Sequence, residues 1–274
     1  MKKTLSLVLA LLLFVSVFCG CAKDSNSETS KTSTTDEVST TAPATAENVA
    51  PEEIVKMYMD NADVWANDSE GIDWFGYLFL DLDFDGVLEL VYTTCMGTGF
   101  YSYNKYYKLD TDTKTVSEIP FPDVVEDMQC DYTGIDYPQL YKNNSTGELK
   151  YMMYDNARDG LFRHTTHLSE LFLDENGNVS VNYLWSFDYT ADEDNTNGTF
   201  TYTNYENNVA KEVDEETYDK TINQYETDNT NLNLQFKTIA GHGTIETEYS
   251  NFAELDYDAQ YELLLESYNA FSHD

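Results

Sequence analysis

Nine consecutive residues hold the densest chemistry in this chain: Asp81-Leu82-Asp83-Phe84-Asp85-Gly86-Val87-Leu88-Glu89. Counted from Asp81, carboxylates fall at positions 1, 3, 5 and 9, and the backbone carbonyl of Val87 is available at position 7. Calcium takes about six to eight hard oxygen ligands at about 2.3–2.6 Å, and alternating carboxylates on a tight loop can bring them to one point. Gly86 permits the sharp turn such a loop needs. Four carboxylates this close repel one another unless a cation stands among them. Asp81, Asp83, Asp85, Val87 and Glu89 are therefore the candidate metal ligands, and calcium is the expected cofactor. The loop is not an EF-hand, because position 12 is Tyr92 and the flanks read as strands. The competing reading is a hairpin turn whose acidic residues cap backbone amides and bind no ion.

Nothing else has comparable spacing. His164 and His167 lie three apart in a strand-like stretch, so their side chains point to opposite faces and a shared metal is not expected. Gly241-His242-Gly243 reads as a turn. With 50 acidic residues, pairs that mimic a glycosidase acid and base arise by chance. No Walker-type loop, GxSxG elbow or HExxH is present, and no catalytic residue is assigned. The tyrosines of Tyr101-Ser102-Tyr103-Asn104-Lys105-Tyr106-Tyr107 could stack sugars, but cross-strand pairs within a sheet are the plainer use.

The elements that must position the acidic loop are mostly strands. From Trp74 to about Tyr205, short aromatic and β-branched runs alternate with turn clusters at 110–114, 143–147, 174–178 and 192–198. This pattern reads as an antiparallel meander. Before it, Pro51, Glu52 and Glu53 suit a helix start, and Ile54, Tyr58, Val64 and Trp65 form an apolar stripe ending near Asn67. After it, Asp214 suits an N-cap, with Val213 and Tyr218 spaced as a hydrophobic staple. A last helix is expected from about Asp258 to Phe271, burying Tyr261, Leu264, Leu265, Tyr268 and Phe271. The expected fold class is α+β: an antiparallel sheet meander, curved or folded over, flanked by an N-terminal helix and two C-terminal helices. The 22 tyrosines and 14 phenylalanines supply ample apolar surface for a core. Residues 51–274 are read as one domain.

The first 50 residues read differently. Lys2 and Lys3 precede an apolar run from Leu5 to Phe18, too short for a bilayer span of about 20 residues. Residues 1–20 have the form of a signal peptide. Gly20-Cys21 then resembles the bacterial lipobox, although Phe18 and Cys19 depart from its usual aliphatic-then-small pattern. The resemblance implies lipid attachment at Cys21 and a membrane partner reached through that anchor, on the outer face of the bacterial cytoplasmic membrane. Residues 21–50 are Ser/Thr-rich and cannot bury a core, so they read as a disordered tether with a reach of about 30 Å. Cys95 and Cys130 would then remain, either as a disulfide or as two buried thiols. The net charge is −35, and loss of Lys2 and Lys3 would make it more negative still. Such a surface repels nucleic acid and anionic headgroups.

The hairpin FGYLFLDLDFDGVLELVY resembles the calcium hairpins of FG-GAP and related integrin-type repeats. It is still more similar to a segment of many uncharacterised Gram-positive lipoproteins, in which DxDGDGxPEL follows a signal and a Ser/Thr tether. Glu215-Glu216-Thr217-Tyr218 is similar to a Glu-Glu-x-Tyr helix common in that group. The resemblance implies architecture and calcium, not a reaction. Phe84 stands where Gly or Asn is usual, and Glu89 where the FG-GAP loop has Asp. The single copy excludes a propeller of such repeats.

Together these features point to a lipid-anchored, surface-displayed, calcium-stabilised module without catalysis, binding an extracellular glycan, wall polymer or protein. A surface hydrolase with an acidic site is the alternative, and a solute-binding lipoprotein fits less well because two βαβ lobes are missing. Replacing Cys21 (Cys21→Ser) is expected to abolish incorporation of labelled palmitate and to release the protein into the medium. Unchanged labelling and retention would remove the lipid anchor.

Overall fold

Trp74–Leu80 is apolar at every position except Gly76, the pattern of a strand buried on both faces rather than one. That is its place in the computed structural model, which describes residues 49–66, 74–95, 104–121, 138–159, 163–192, 197–243 and 252–273. The described strands are β1 (Trp74–Leu80), β2 (Glu89–Cys95), β3 (Asn104–Asp110), β4 (Thr115–Ile119), β5 (Gln139–Asn143) and β6 (Leu149–Asp159), followed by β7 (Arg163–Leu173), β8 (Val179–Ala191), β9 (Gly198–Glu206), β10 (Val209–Val213), β11 (Asn229–Leu232) and β12 (Ile239–Gly243). The helices are α1 (Pro51–Asp60), α2 (Ala62–Trp65), α3 (Glu215–Asp228) and α4 (Tyr257–Ala270).

The fold class is α+β with an antiparallel meander, as expected, but the strands divide between two sheets. The first has the order β12-β1-β2-β3-β4 and the second β10-β9-β8-β7-β6-β5-β11. Alternation along β1 sends Phe75, Tyr77 and Phe79 into a core shared with Ile54, Val55 and Tyr58 of α1 and Leu264 and Tyr268 of α4. It sends Leu78 and Leu80 the other way, into a core shared with Leu140, Tyr151, Met153 and Leu171 of the second sheet. A third core lies on the far face of that sheet, where Tyr218 of α3 meets Tyr141, Met152, Leu168 and Trp185. The layers thus run helices, sheet, sheet, helix.

Local signals placed the helices well. Asp214 accepts from the Thr217 N–H at 2.8 Å and Asp256 from the Ala259 N–H at 3.0 Å, each capping its helix. Val213 and Tyr218 join the same core, as a staple should. The first helix is interrupted at Asn61, whose amide donates to the carbonyls of Met57 and Lys114. The break rotates the following turn, so Trp65 is buried while Val64 is exposed.

A further expectation fails. Gly241-His242-Gly243 is not a turn: it lies in β12, with His242 opposite Phe75 and Gly243 opposite Trp74. The free edge of β1 needs backbone partners, and that tertiary demand overrides the local preference of glycine. Gly76 lets β12 come close, since a Cβ there would lie 2.8 Å from the Ile239 carbonyl oxygen. Tyr106 and Tyr107 are fully buried in sheet cores, which rules them out as a stacking platform. Residues 1–48, including Cys21 and the tether, lie outside the described residues, as do Tyr101, Tyr103 and Cys130; Cys95 is described only as the end of β2.

Leu78 is fully buried between the two sheets. Leu78→Ala is expected to cost about 2–5 kcal/mol in a denaturant titration, the loss typical of a leucine cavity. A loss below about 1 kcal/mol would show that the sheets close up or never packed there.

Candidate metal centre

The acidic loop joins β1 to β2, with both ends buried and its tip, Gly86, exposed. Its backbone is set by two residues with positive φ, Phe84 at 58° and Gly86 at 88°. Such a φ is free for glycine and costly for phenylalanine. Phe84 recovers part of that cost by stacking on Tyr151 of β6, with ring centroids 5.7 Å apart and planes 12° from parallel.

Three tyrosines pin the loop from three directions. Tyr151 donates its hydroxyl to the Asp81 carbonyl at 3.0 Å. Tyr58 of α1 donates to the carbonyls of Leu88 and Tyr107 at 3.0 and 3.1 Å. Tyr268 of α4 accepts from the Leu88 N–H at 3.3 Å. Within the loop, carboxylates hold backbone amides: Glu89 Oε2 accepts from Leu82 at 2.8 Å, Asp81 Oδ2 from Gly86 at 3.2 Å, and Asp85 Oδ1 from Val87 at 2.8 Å.

Of the residues singled out by spacing, Asp81, Asp83 and Glu89 converge. Each offers an oxygen within 4.8 Å of those of the other two, in an arrangement that could hold a metal ion. Two oxygens bound to one calcium can lie no farther apart than about 5 Å, so the trio is within reach of a single ion. Asp85 lies outside that trio, and Val87 contributes a buried side chain to the helix-side core and its N–H to Asp85. Asp81 is 8% exposed and Glu89 1%, and Asp81 Oδ1 is buried without a hydrogen-bond partner. A buried carboxylate oxygen left bare costs free energy that a proton or a cation would recover.

Burial is the largest influence on these acids, and it favours their neutral forms. It raises the Asp81 carboxyl from 3.8 to about 6, helped by the charges of Asp83 and Asp85. Glu89 is pushed well above the usual carboxylate range by burial and then by Asp83. Asp85 is raised by burial, with its bond from Val87 pulling the other way. Lys108 of β3 is the group that spacing alone missed. Its ammonium pairs with Asp83 and lies 4.0 Å from Asp85. Burial pulls Lys108 down, but its hydrogen bond and ion pair with Asp83 outweigh this and hold it charged. The strand register brings it there: β3 pairs Tyr107 with Leu90, so Lys108 falls beside Glu89. One ammonium against four acids leaves the loop in need of further positive charge, from protons held by the buried acids or from a cation.

His164 and His167 of β7 converge on no metal group among the described residues; His164 lies edge-on to Phe187, and burial lowers the pKa of His167. No family model matches the chain, and no curated protein matches it. Among solved structures, the chain is similar to a Xanthomonas protein related to a type IV secretion system, at 16% identity and a TM-score of 0.32. The match covers 51% of this chain and 58% of that protein, and nothing here rests on so partial a likeness.

A carboxyl that holds its proton more tightly when folded stabilises the fold below its unfolded pKa and loses that contribution as pH rises through its folded value. In chelator, the Asp81 contribution is therefore expected to fall away between about pH 4 and pH 6, by about 3 kcal/mol at most. The check is urea unfolding across that range for the wild type and Asp81→Asn, whose side chain does not titrate. Parallel pH profiles for the two proteins would contradict the buried, proton-holding carboxyl.

Proposed function

We propose that this protein is a calcium-stabilised, non-catalytic module displayed outside the cell on a lipid anchor at Cys21, where it presents its sheets to an extracellular glycan, wall polymer or protein. One observation carries the metal part of this reading. Asp81, Asp83 and Glu89 converge at a point where one buried carboxylate oxygen has no partner. A divalent ion there would ionise Asp81 and Glu89 and draw Asp83 away from Lys108. It would also tie both ends of the β1–β2 loop together, since Asp81 follows β1 and Glu89 opens β2. All-oxygen donors of this kind suit calcium, and magnesium less well because it keeps more of its own water.

The displayed, non-catalytic part is supported by sequence: the leader, the lipobox-like Gly20-Cys21, the Ser/Thr tether and the absence of a recognised catalytic motif. No described helix is long and apolar enough to cross a membrane.

Thermal unfolding with saturating calcium, with magnesium and with chelator tests the metal. A site at 100 times its dissociation constant adds about 2.7 kcal/mol, which for a domain of this size raises Tm by about 5–10 °C. The expected outcome is such a rise with calcium, a smaller one with magnesium, and neither in Asp81→Asn combined with Asp83→Asn. Equal melting of the wild type in calcium and chelator would reduce the loop to an acidic turn held by Lys108.

A further inference from the structure

On the outer face of the second sheet, two interruptions of regular pairing fall side by side. β7 and β8 slip register between Leu168 and Ser169, so Leu184 stands as an extra residue between Tyr183, opposite Ser169, and Trp185, opposite Leu168. β9 parts from β8 at the same place: Asn204 opposite Trp185 is the last pair, and Tyr205 and Glu206 continue with β10. Bulges of this kind redirect side chains and recur beside binding sites. With α3 lying across the face, they open a cleft of about 710 Å³. That volume is in the usual range for a small-molecule site.

Glu170 lies in the lining of this cleft and is 7% exposed. Its carboxylate accepts from Asn182 Nδ2 at 3.0 Å, from the Tyr225 hydroxyl at 3.2 Å and from Lys150 Nζ at 3.4 Å. Trp185 is edge-on to Tyr225 with centroids 5.4 Å apart, and the rings of Tyr183 and Tyr205 lie 5.5 Å apart along the same cleft. An amide, a carboxylate and an ammonium held in fixed mutual geometry suit groups that both donate and accept hydrogen bonds, as sugar hydroxyls do. Aromatic side chains beside them suit the C–H faces of a pyranose. An apolar ligand would strip water from the polar lining around Glu170, Lys220, Gln224 and Asp228 among it, and offer nothing in exchange. An anionic ligand would face Glu148, Glu170, Glu206 and Asp228 against only Lys150 and Lys220, in a chain of net charge −35.

We propose that this cleft is the binding site for a neutral saccharide. The inference deepens the display reading by naming its partner class, and it is independent of whether the acidic loop holds calcium.

The test is calorimetric titration of the full chain with uncharged hexasaccharides of glucose, mannose, galactose and N-acetylglucosamine, with polyglycerol phosphate as an anionic probe. Tryptophan fluorescence follows in parallel, because Trp185 alone of the three tryptophans lines the cleft: Trp65 is buried among α1 and β1 side chains and Trp74 opens β1 in the other sheet. At least one hexasaccharide is expected to bind and to change the fluorescence. Glu170→Gln should weaken that binding about tenfold or more, the scale of a lost hydrogen bond to a charged group. Gln224→Ala, on the exposed surface of α3 where it lines the cleft, should also weaken binding without lowering Tm, which guards against a folding defect in the first variant. No hexasaccharide binding at millimolar concentration, binding unaffected by both substitutions, or binding of polyglycerol phosphate alone would each overturn the proposal. Release of new reducing ends would uphold saccharide recognition and overturn the non-catalytic reading. A Tm insensitive to calcium beside intact sugar binding would remove the metal and leave the cleft standing.

Discussion

The structure turns on the burial of charge at one hairpin. Leu78 and Leu80 tie β1 to the second sheet, and Phe79 ties it to α1 and α4, so both ends of the loop that follows are held between the layers while its tip at Gly86 reaches the surface. Glu89 is carried inside with it, at 1% exposure, because it opens the strand that pairs with β1. A carboxylate in that position needs a partner for each oxygen or a changed protonation state. The Leu82 amide answers part of the need, and the rest is left to the nearby charge of Lys108, a proton or a metal ion.

The surrounding fold reads as a frame for that loop. Tyr58, Tyr151 and Tyr268 come from α1, β6 and α4, three elements far apart in the sequence, and each bonds the backbone of the loop rather than its acids. The carboxylates are thereby left free to face one another, although repulsion would otherwise spread them. Phe84 carries the same logic further: a residue in an unfavourable backbone region is kept there by its stack on Tyr151. Strain of this kind persists where the neighbours over-determine the conformation.

The two sheets divide the labour. The first is buried on both faces along β1 and β2 and holds the acidic loop. The second gives one face to the sheet–sheet core and the other to α3, which covers only part of it. Along that outer face the bulge at Leu184 and the departure of β9 break the ladder and leave a recess lined by polar and aromatic side chains. Rigid pairing on either side of the recess keeps its walls in place, the condition for recognition at low entropic cost.

Much of this was legible in local sequence, because the relevant forces act over a few residues. Asp214 capping α3, the apolar stripe of α4 and the alternating strands from Trp74 onward are all short-range patterns, and each took its expected form. Spacing brought Asp81, Asp83 and Glu89 together for the same reason, since a tight turn leaves them little choice. What required the tertiary structure was whatever depends on pairing across distance. The split into two sheets, the capture of Gly241-His242-Gly243 by the edge of β1, the arrival of Lys108 beside Asp83, and the recess behind Leu184 are set by which strands meet and in what register. Register is decided by the sum of many distant contacts, so no single segment of the chain encodes it.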